Sequence, residues 1–152
     1  MMKYKIPVKE IMSTKPVSTK PDADSLSAAR LMAKHDISFL PVVEDNILIG
    51  LITEGDILKR VFIKNKNPKK VKIKDIMTKK PISVSPGDDV STVAGLMNSK
   101  KITKMPVTEG GKLLGCLTEK DILKIEPSII DVLFEKLKLR EPSLKITYSR
   151  GE

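Results

Sequence analysis

The sequence predicts an α+β fold built from two copies of one unit, and three observations support this prediction. Residues 8–60 return from residue 73 onward at a constant offset, with about 22 of roughly 52 aligned positions identical and no gap. Each copy places one segment of helical periodicity between short apolar runs. Each copy also has a turn-forming pair between two apolar runs, at Asp45-Asn46 and at Gly110-Gly111, which is typical of a β-hairpin.

The first half of each unit combines an extended segment with a helix. Val8 to Met12 predicts a single helical turn. Lys15 to Thr19 should be extended, because Lys15 precedes a proline and the Val and Thr that follow favour strands. Asp24 is the predicted N-cap of a helix from Ser25 to His35, in which Leu26, Ala29 and Met32 recur at helical spacing.

The second half of the unit should be a hairpin followed by a helix. Ile37 to Val43 and Ile47 to Ile52 are the predicted strands. Pro41 cannot donate a hydrogen bond to a neighbouring strand, so the first of these strands should lie at an edge or carry a bulge. Thr53 should cap the helix that follows.

The second copy repeats this plan, and the chain continues beyond it. Residues 127–139 carry an apolar stripe that predicts a further helix with no counterpart in the repeat, followed by a tail. The predicted organisation is a lead-in and first unit at 1–61, a basic linker at 62–72, a second unit at 73–126, and a C-terminal helix and tail at 127–152. The second unit's predicted elements are an extended segment at Lys80 to Val84, a helix from Val90 to Lys100, strands at Thr103 to Thr108 and Lys112 to Leu117, and a helix from Glu119.

Composition narrows the possible functions. Apolar residues make up 40% of the chain and charged residues 31%, so a packed core is expected, but aromatic residues are only 3%. One Cys and one His cannot form a disulfide scaffold or a Cys/His zinc site. There is no apolar run of membrane-spanning length and no signal-peptide pattern, so we expect a cytoplasmic protein with no membrane partner.

The formal net charge of +9 favours anionic partners such as nucleotides or nucleic acid. The basic stretch at 62–72 is either a solvated linker or an arm that contacts an acidic partner. Few aromatic side chains are available to stack on bases, which weakens the case for single-stranded nucleic acid. The sequence shows neither a nucleophile–base pair nor paired carboxylates, and therefore we do not expect an enzyme.

One heptad carries the most specific signal. Gly50-Leu-Ile-Thr-Glu-Gly-Asp56 returns as Gly115-Cys-Leu-Thr-Glu-Lys-Asp121. In both copies the heptad follows Ile-Met, Lys-Pro, a helical segment and Pro-Val, in that order. This doubled pattern, over about residues 8–126, resembles a tandem pair of CBS domains, named after cystathionine β-synthase and also called a Bateman module.

The resemblance implies a β-α-β-β-α order in each unit and two clefts between units that pack about a pseudo-two-fold axis. It implies a homodimer that binds AMP, ADP, ATP or S-adenosylmethionine as a regulatory ligand, requires no cofactor and acts on a protein partner that the sequence does not identify. Two alternatives remain open. The chain could be a basic protein associated with nucleic acid, or a structural dimerisation module with empty clefts.

The heptad residues have a chemistry that suits a nucleoside. The carboxylates of Asp56 and Asp121 can accept hydrogen bonds from the two ribose hydroxyls. Thr53 and Thr118 begin helices, where backbone N–H groups favour a phosphate or ribose oxygen. The alternative is a capping box, in which Thr and Asp stabilise the helix by about 1 kcal/mol without any ligand.

The resemblance also implies the walls of each pocket and a difference between the two. Lys104 and Lys120 replace Phe39 and Gly55, so the second site should tolerate polyphosphate better than the first. The first site, with Phe39 and Asp36, should suit a nucleoside or a less charged ligand. The wall residues are also simply explained as residues that cover the core. They are Val17, Ile37 and Ser38 in the first unit and Ile82, Ile102 and Thr103 in the second.

Overall fold

The computed structural model describes residues 5–125 and confirms the α+β fold. Single 3₁₀ turns lie at Val8–Glu10 and Ile73–Asp75, and a π-helical turn at Leu58–Phe62 continues α2. The strands and helices are β1 Ser13–Thr14, α1 Ser25–His35, β2 Phe39–Glu44, β3 Ile47–Thr53, α2 Glu54–Ile57, β4 Thr78–Lys79, α3 Val90–Lys100, β5 Lys104–Glu109, β6 Lys112–Thr118 and α4 Glu119–Leu123.

All six strands belong to one antiparallel sheet, which is centred on two hairpins. β2 pairs with β3, and β5 pairs with β6. The short strand β4 adds to β3, and β1 adds to β6. The hairpins meet at the pair Ile47 and Lys112, near their turns. Both predicted hairpin turns are confirmed, and all four turn residues (Asp45, Asn46, Gly110 and Gly111) have positive φ.

Equivalent hydrogen bonds relate the two hairpins. Leu48 N donates to Gly111 O at 3.0 Å, and Leu113 N donates to Asn46 O at 3.2 Å. Leu48 corresponds to Leu113 and Asn46 corresponds to Gly111, so each bond is the equivalent of the other. The pairing therefore has the pseudo-two-fold symmetry expected of a tandem pair.

The segment that begins each repeat packs on the other repeat. Val8 N donates to Asp88 O at 2.8 Å, and its counterpart Ile73 N donates to Ala23 O at 2.9 Å. Val8 belongs to the hydrophobic cluster formed by residues 84–122. Ile73 belongs to the cluster formed by residues 28–61. Each hydrophobic core is thus completed by the entry segment of the other repeat, and the boundaries drawn from the sequence stay a prediction.

The long helices have the predicted bounds, and their caps differ. Asp24 accepts hydrogen bonds from the backbone N and the hydroxyl of Ser27, at 2.8 and 2.9 Å. Asp89, its counterpart at the start of α3, instead accepts from Ile6 N at 3.2 Å. The buried face of α1 consists of Ser25, Ala28 and Met32. Of the three residues predicted for this face, only Met32 belongs to it, because Leu26 and Ala29 are half-buried.

The prediction that Lys15 and Lys80 are extended is wrong, and the prediction for the strand that contains Pro41 is confirmed. Lys15 and Lys80 were expected to be extended, but their φ values are 55° and 49°. The chain must reverse at these residues to return from the other repeat to its own. The proline prediction is confirmed, because β2 is an edge strand of the sheet and its register shifts between Val42 and Val43.

The strand β2 begins two residues later than predicted. Asp36 adopts a left-handed conformation, and Ile37 N donates to Met32 O at 3.0 Å, which closes the end of α1. Lys101 and Ile102 do the same at the end of α3. Ile37 and Ile102 therefore terminate helices and are not the first residues of strands.

The basic linker is anchored to the first repeat by its backbone. Pro68 O accepts from Ser25 Oγ at 2.7 Å, and Val71 O accepts from Ser25 N at 2.8 Å. Lys74 Nζ lies 3.0 Å from Asp22, and this hydrogen bond lowers the pKa of the Asp22 carboxyl. Lys74 follows the linker, and all five lysines of the linker itself are exposed: Lys64, Lys66, Lys69, Lys70 and Lys72.

The predicted C-terminal helix and tail at 127–152 lie outside the described residues. Between residues 5 and 125, the helices are too short and too polar to cross a membrane.

Candidate functional site

Both heptads form a complete capping box at the start of a helix. In the first, Asp56 Oδ2 accepts from Thr53 N and Thr53 Oγ1, each at 3.0 Å, while Asp56 N donates to Thr53 Oγ1 at 3.2 Å. In the second, Asp121 Oδ2 accepts from Thr118 N at 2.9 Å. The capping interpretation is thus confirmed. In both boxes the capping threonine engages the Oδ2 atom of the carboxylate and not its Oδ1 atom.

The backbone brings two of the predicted wall residues, Ser38 and Thr103, next to the capping boxes. Ser38 O accepts from Glu54 N at 3.0 Å, and Thr103 O accepts from Glu119 N at 2.8 Å. Both bonds join the residue before a strand to the first residue of a helix. Ser38 therefore borders Thr53, which pairs with Phe39 in the sheet. The corresponding residues of the second repeat have the same arrangement.

The apolar wall residues approach the same ends of the strands. Thr19 forms a parallel bridge with Val42, so Val17, two residues earlier, runs toward the start of β2. Val84 bridges to Val107 in the same way and directs Ile82 toward the start of β5. Val17 is half-buried against the first cluster, whereas Ile82 is 43% exposed. The wall is therefore more open in the second repeat.

Lys104 lies at the pseudo-two-fold axis. Its Nζ atom sits 5.7 Å from the centroid of the Phe39 ring, although the two residues occupy equivalent positions in the two repeats. The charge that the sequence assigned to the second site is therefore placed between the repeats. Lys120 is exposed on the first turn of α4. The role of both lysines in ligand binding stays a prediction.

One residue near the site was missed by the sequence reasoning. Arg60 Nε lies 3.9 Å from Asp56 Oδ1, and Arg60 Nη1 donates to Ile76 O at 2.8 Å. Asp at one position and Arg four residues later share a helix face, and this spacing was the available signal. In the second repeat Ile125 occupies the position of Arg60.

A groove between α1 and α2 was also missed. It has a volume of about 240 Å³ and is lined by Ala29, Met32, Ala33, Glu54 and Ile57. The spacing of the first three residues identifies one face of α1. The groove lies on the helical side of the first repeat, and the π-helical turn that continues α2 carries the exposed side chains of Leu58 and Phe62.

Cys116 is buried in β6 opposite Ser13. Burial, with a smaller contribution from the charge of Asp121, raises the pKa of its thiol to about 12. Since the thiolate is the reactive form, we expect the folded protein not to react with a disulfide reagent such as DTNB at pH 8. The urea-unfolded protein should release one equivalent of the coloured product. Rapid reaction of the folded protein would contradict the described packing.

Over the described part of the chain, there is no group of three or more His, Cys, Asp or Glu side chains placed to hold a metal ion. The described side chains of the candidate site are suited to binding a ligand. Each repeat contributes a fixed carboxylate, a neighbouring backbone turn and an apolar wall, and these groups suit a ligand that has hydroxyls and a flat apolar ring.

Comparison with known proteins gives a consistent result. The family model for the CBS domain matches twice, at residues 8–63 and 73–128. The uncharacterized protein MJ0450 of Methanocaldococcus jannaschii is 34% identical over 133 residues, which cover 86% of this chain and 71% of that protein. An inosine-5'-monophosphate dehydrogenase of Korarchaeum cryptofilum is 35% identical over 82% of this chain, but the match covers only 25% of that enzyme.

Among solved structures, the CBS domain pair of protein MJ0100, in complex with 5-methylthioadenosine and S-adenosyl-L-methionine, superposes with a TM-score of 0.71. It is 30% identical, and the match covers 89% of this chain and all of that one. Both ligands in that complex contain an adenosine group. Stand-alone domain pairs of this kind are generally regulatory and not catalytic.

Proposed function

Because the chain belongs to the CBS-domain family and carries the domain twice, we propose that it is a non-catalytic regulatory module that binds an adenosine-containing ligand. The observation that carries this proposal is the carboxylate of Asp121. One of its oxygens is held by Thr118 N, and within residues 5–125 its Oδ1 has no hydrogen-bonding partner. A ribose diol would supply the missing donors.

The proposed binding step couples the ligand to both repeats. The Thr118 and Asp121 pair lies at the end of β6, whose neighbour β1 comes from the N-terminal segment. Lys104 reaches across the pseudo-two-fold axis to Phe39. A ligand that contacts these groups would favour one relative packing of the repeats, and a protein partner could respond to that packing.

The proposal is tested by thermal melting with adenosine, AMP, ADP, ATP and S-adenosyl-L-methionine. A ligand at one hundred times its dissociation constant should stabilise the fold by about 2.7 kcal/mol, which is readily visible as a rise in melting temperature. We expect Asp121→Ala to remove most of this rise, because the ribose loses its acceptor. Asp75→Ala is the matched control, since Asp75 is an exposed carboxylate on the 3₁₀ turn.

Two other results would favour the alternative functions. A salt-sensitive shift with a short duplex DNA, and none with an adenosine ligand, would indicate a nucleic-acid-associated protein that binds through its basic surface. The absence of any shift would favour a structural module whose clefts stay empty. Either result would leave the two Thr-x-x-Asp motifs with their capping role alone.

We further propose that the protein acts as a homodimer through the groove between α1 and α2. The groove is mostly apolar, and in the π-helical turn that continues α2 the side chain of Leu58 is 51% exposed and that of Phe62 is 77% exposed. A second copy of the same face would remove this apolar surface from water. A two-fold axis that relates two identical faces is also the commonest symmetry of soluble oligomers.

The dimer is tested by size-exclusion chromatography with light scattering. Leu58→Glu should shift the protein toward a monomer, because the new carboxylate would be buried without a partner at the interface. Leu114→Glu is the matched control, since Leu114 is 36% exposed but lies on β6, away from the groove. Dimers that persist in Leu58→Glu but dissociate in Leu114→Glu would place the contact on the sheet.

A further inference from the structure

The two heptad carboxylates differ in how many of their acceptor positions are already occupied. Asp56 Oδ2 accepts two hydrogen bonds from Thr53, and Oδ1 faces Arg60 Nε at 3.9 Å. Asp121 Oδ2 accepts from Thr118 N, and its Oδ1 has no ion-pair partner among the described residues. In the first repeat both carboxylate oxygens of Asp56 therefore already have a partner. In the second repeat, Oδ1 of Asp121 can accept a hydrogen bond from a ribose diol.

The position of Arg60 is held by a second contact. Its Nη1 atom donates to Ile76 O at 2.8 Å, and Ile76 is a buried residue of the first hydrophobic cluster. The guanidinium thus bridges the Asp56 carboxylate and the backbone just before β4. The second repeat cannot copy this bridge, because residue 125 is an isoleucine that packs against the second cluster.

From this asymmetry we infer that Arg60 sets the order in which the two clefts fill. It competes with a ribose for Asp56 Oδ1, so the Asp121 cleft binds an adenosine ligand first and the Asp56 cleft binds it more weakly. This inference rests on the proposed function and adds to it the residue that distinguishes the sites. The hypothesis drawn from the sequence assigned a nucleoside or a less charged ligand to the first site, and this inference differs from it because Arg60 acts on the ribose end of the ligand.

The charge of Lys120, next to Asp121 in the sequence, acts in the same direction for a phosphorylated ligand, whereas the charge of Lys104 lies between the two repeats. Lys120 is on the first turn of α4, and Lys104 lies at the axis. Adenosine has no phosphate and would respond little to these lysines. A comparison of adenosine with AMP therefore separates the contribution of Arg60 from that of the lysines.

The inference is tested by calorimetric titration of the full chain with adenosine and with AMP. We expect Asp121→Asn to remove the tighter binding event and Asp56→Asn to leave the affinity of that event unchanged. We expect Arg60→Gln to strengthen adenosine binding at the weaker cleft by about threefold to fivefold, the range of a half-exposed ion pair. This effect should persist in the Asp121→Asn background, where only the first cleft remains.

Lys59→Gln is the matched control, because it removes one positive charge from the adjacent exposed position without a contact to Asp56. It should change adenosine binding by less than about twofold. Weaker adenosine binding in Arg60→Gln, unchanged binding, or loss of the tighter binding in Asp56→Asn would each overturn the inference while leaving the proposed function intact. If neither adenosine nor AMP, ADP, ATP or S-adenosyl-L-methionine binds the unmodified protein, the proposed function fails as well.

Discussion

Replacement of Gly115 by alanine is expected to lower the free energy of unfolding by about 2–3 kcal/mol. A methyl group at this position would lie 2.6 Å from Ser13 O and 2.9 Å from Met12 Sδ. Ser13 belongs to β1, which pairs with β6, and the preceding Val8 is buried in the cluster of the second repeat. The added atom can therefore be accommodated only if β1 moves away from β6.

This prediction is measured by urea unfolding, with Gly95→Ala as the matched control. Gly95 lies inside α3, and a methyl group there would have no neighbour within 4 Å. Because glycine disfavours helices, Gly95→Ala should raise the free energy of unfolding by about 0.5–1 kcal/mol. Equal stability of Gly115→Ala and the unmodified protein would contradict the close approach of β1 and β6.

Replacement of Ile73 by alanine is expected to cost about 2–5 kcal/mol. Ile73 is fully buried, and it packs among residues of the first repeat although it begins the second. Val8→Ala is the reciprocal change, because Val8 is fully buried in the cluster of the second repeat. Val8→Ala should cost roughly 2 kcal/mol, since it deletes fewer buried carbon atoms than Ile73→Ala does.

Hydrogen exchange monitored residue by residue locates these losses. Ile73→Ala should reduce amide protection in β2 and β3 more than in β5 and β6, and Val8→Ala should do the reverse. Ile63→Ala is the control, since Ile63 is 66% exposed, and it should change stability by less than about 0.5 kcal/mol. Protection that falls first in the repeat to which each residue belongs by sequence would contradict the exchanged entry segments.

Much of the candidate site could be predicted because it depends on local rules. A Thr followed three residues later by Asp caps a helix, and both boxes formed as the spacing indicated. The residues that border the carboxylates are also neighbours through the hairpin. The contact of Arg60 with Asp56 also follows a local spacing, but its second contact, Ile76 O, is sixteen residues away along the chain and could not be assigned from the sequence.

The sequence by itself determined the duplication, the bounds of α1 and α3, the hairpin turns and the caps. These features depend on spacings of a few residues, which bring the same groups together in any surrounding fold. The tertiary structure decided which repeat receives each entry segment, and with it the left-handed conformation of Lys15 and Lys80. Each entry segment carries nearly the same residues as its counterpart. It could therefore pack on either repeat with similar local contacts, and only the arrangement of the whole chain distinguishes the two choices.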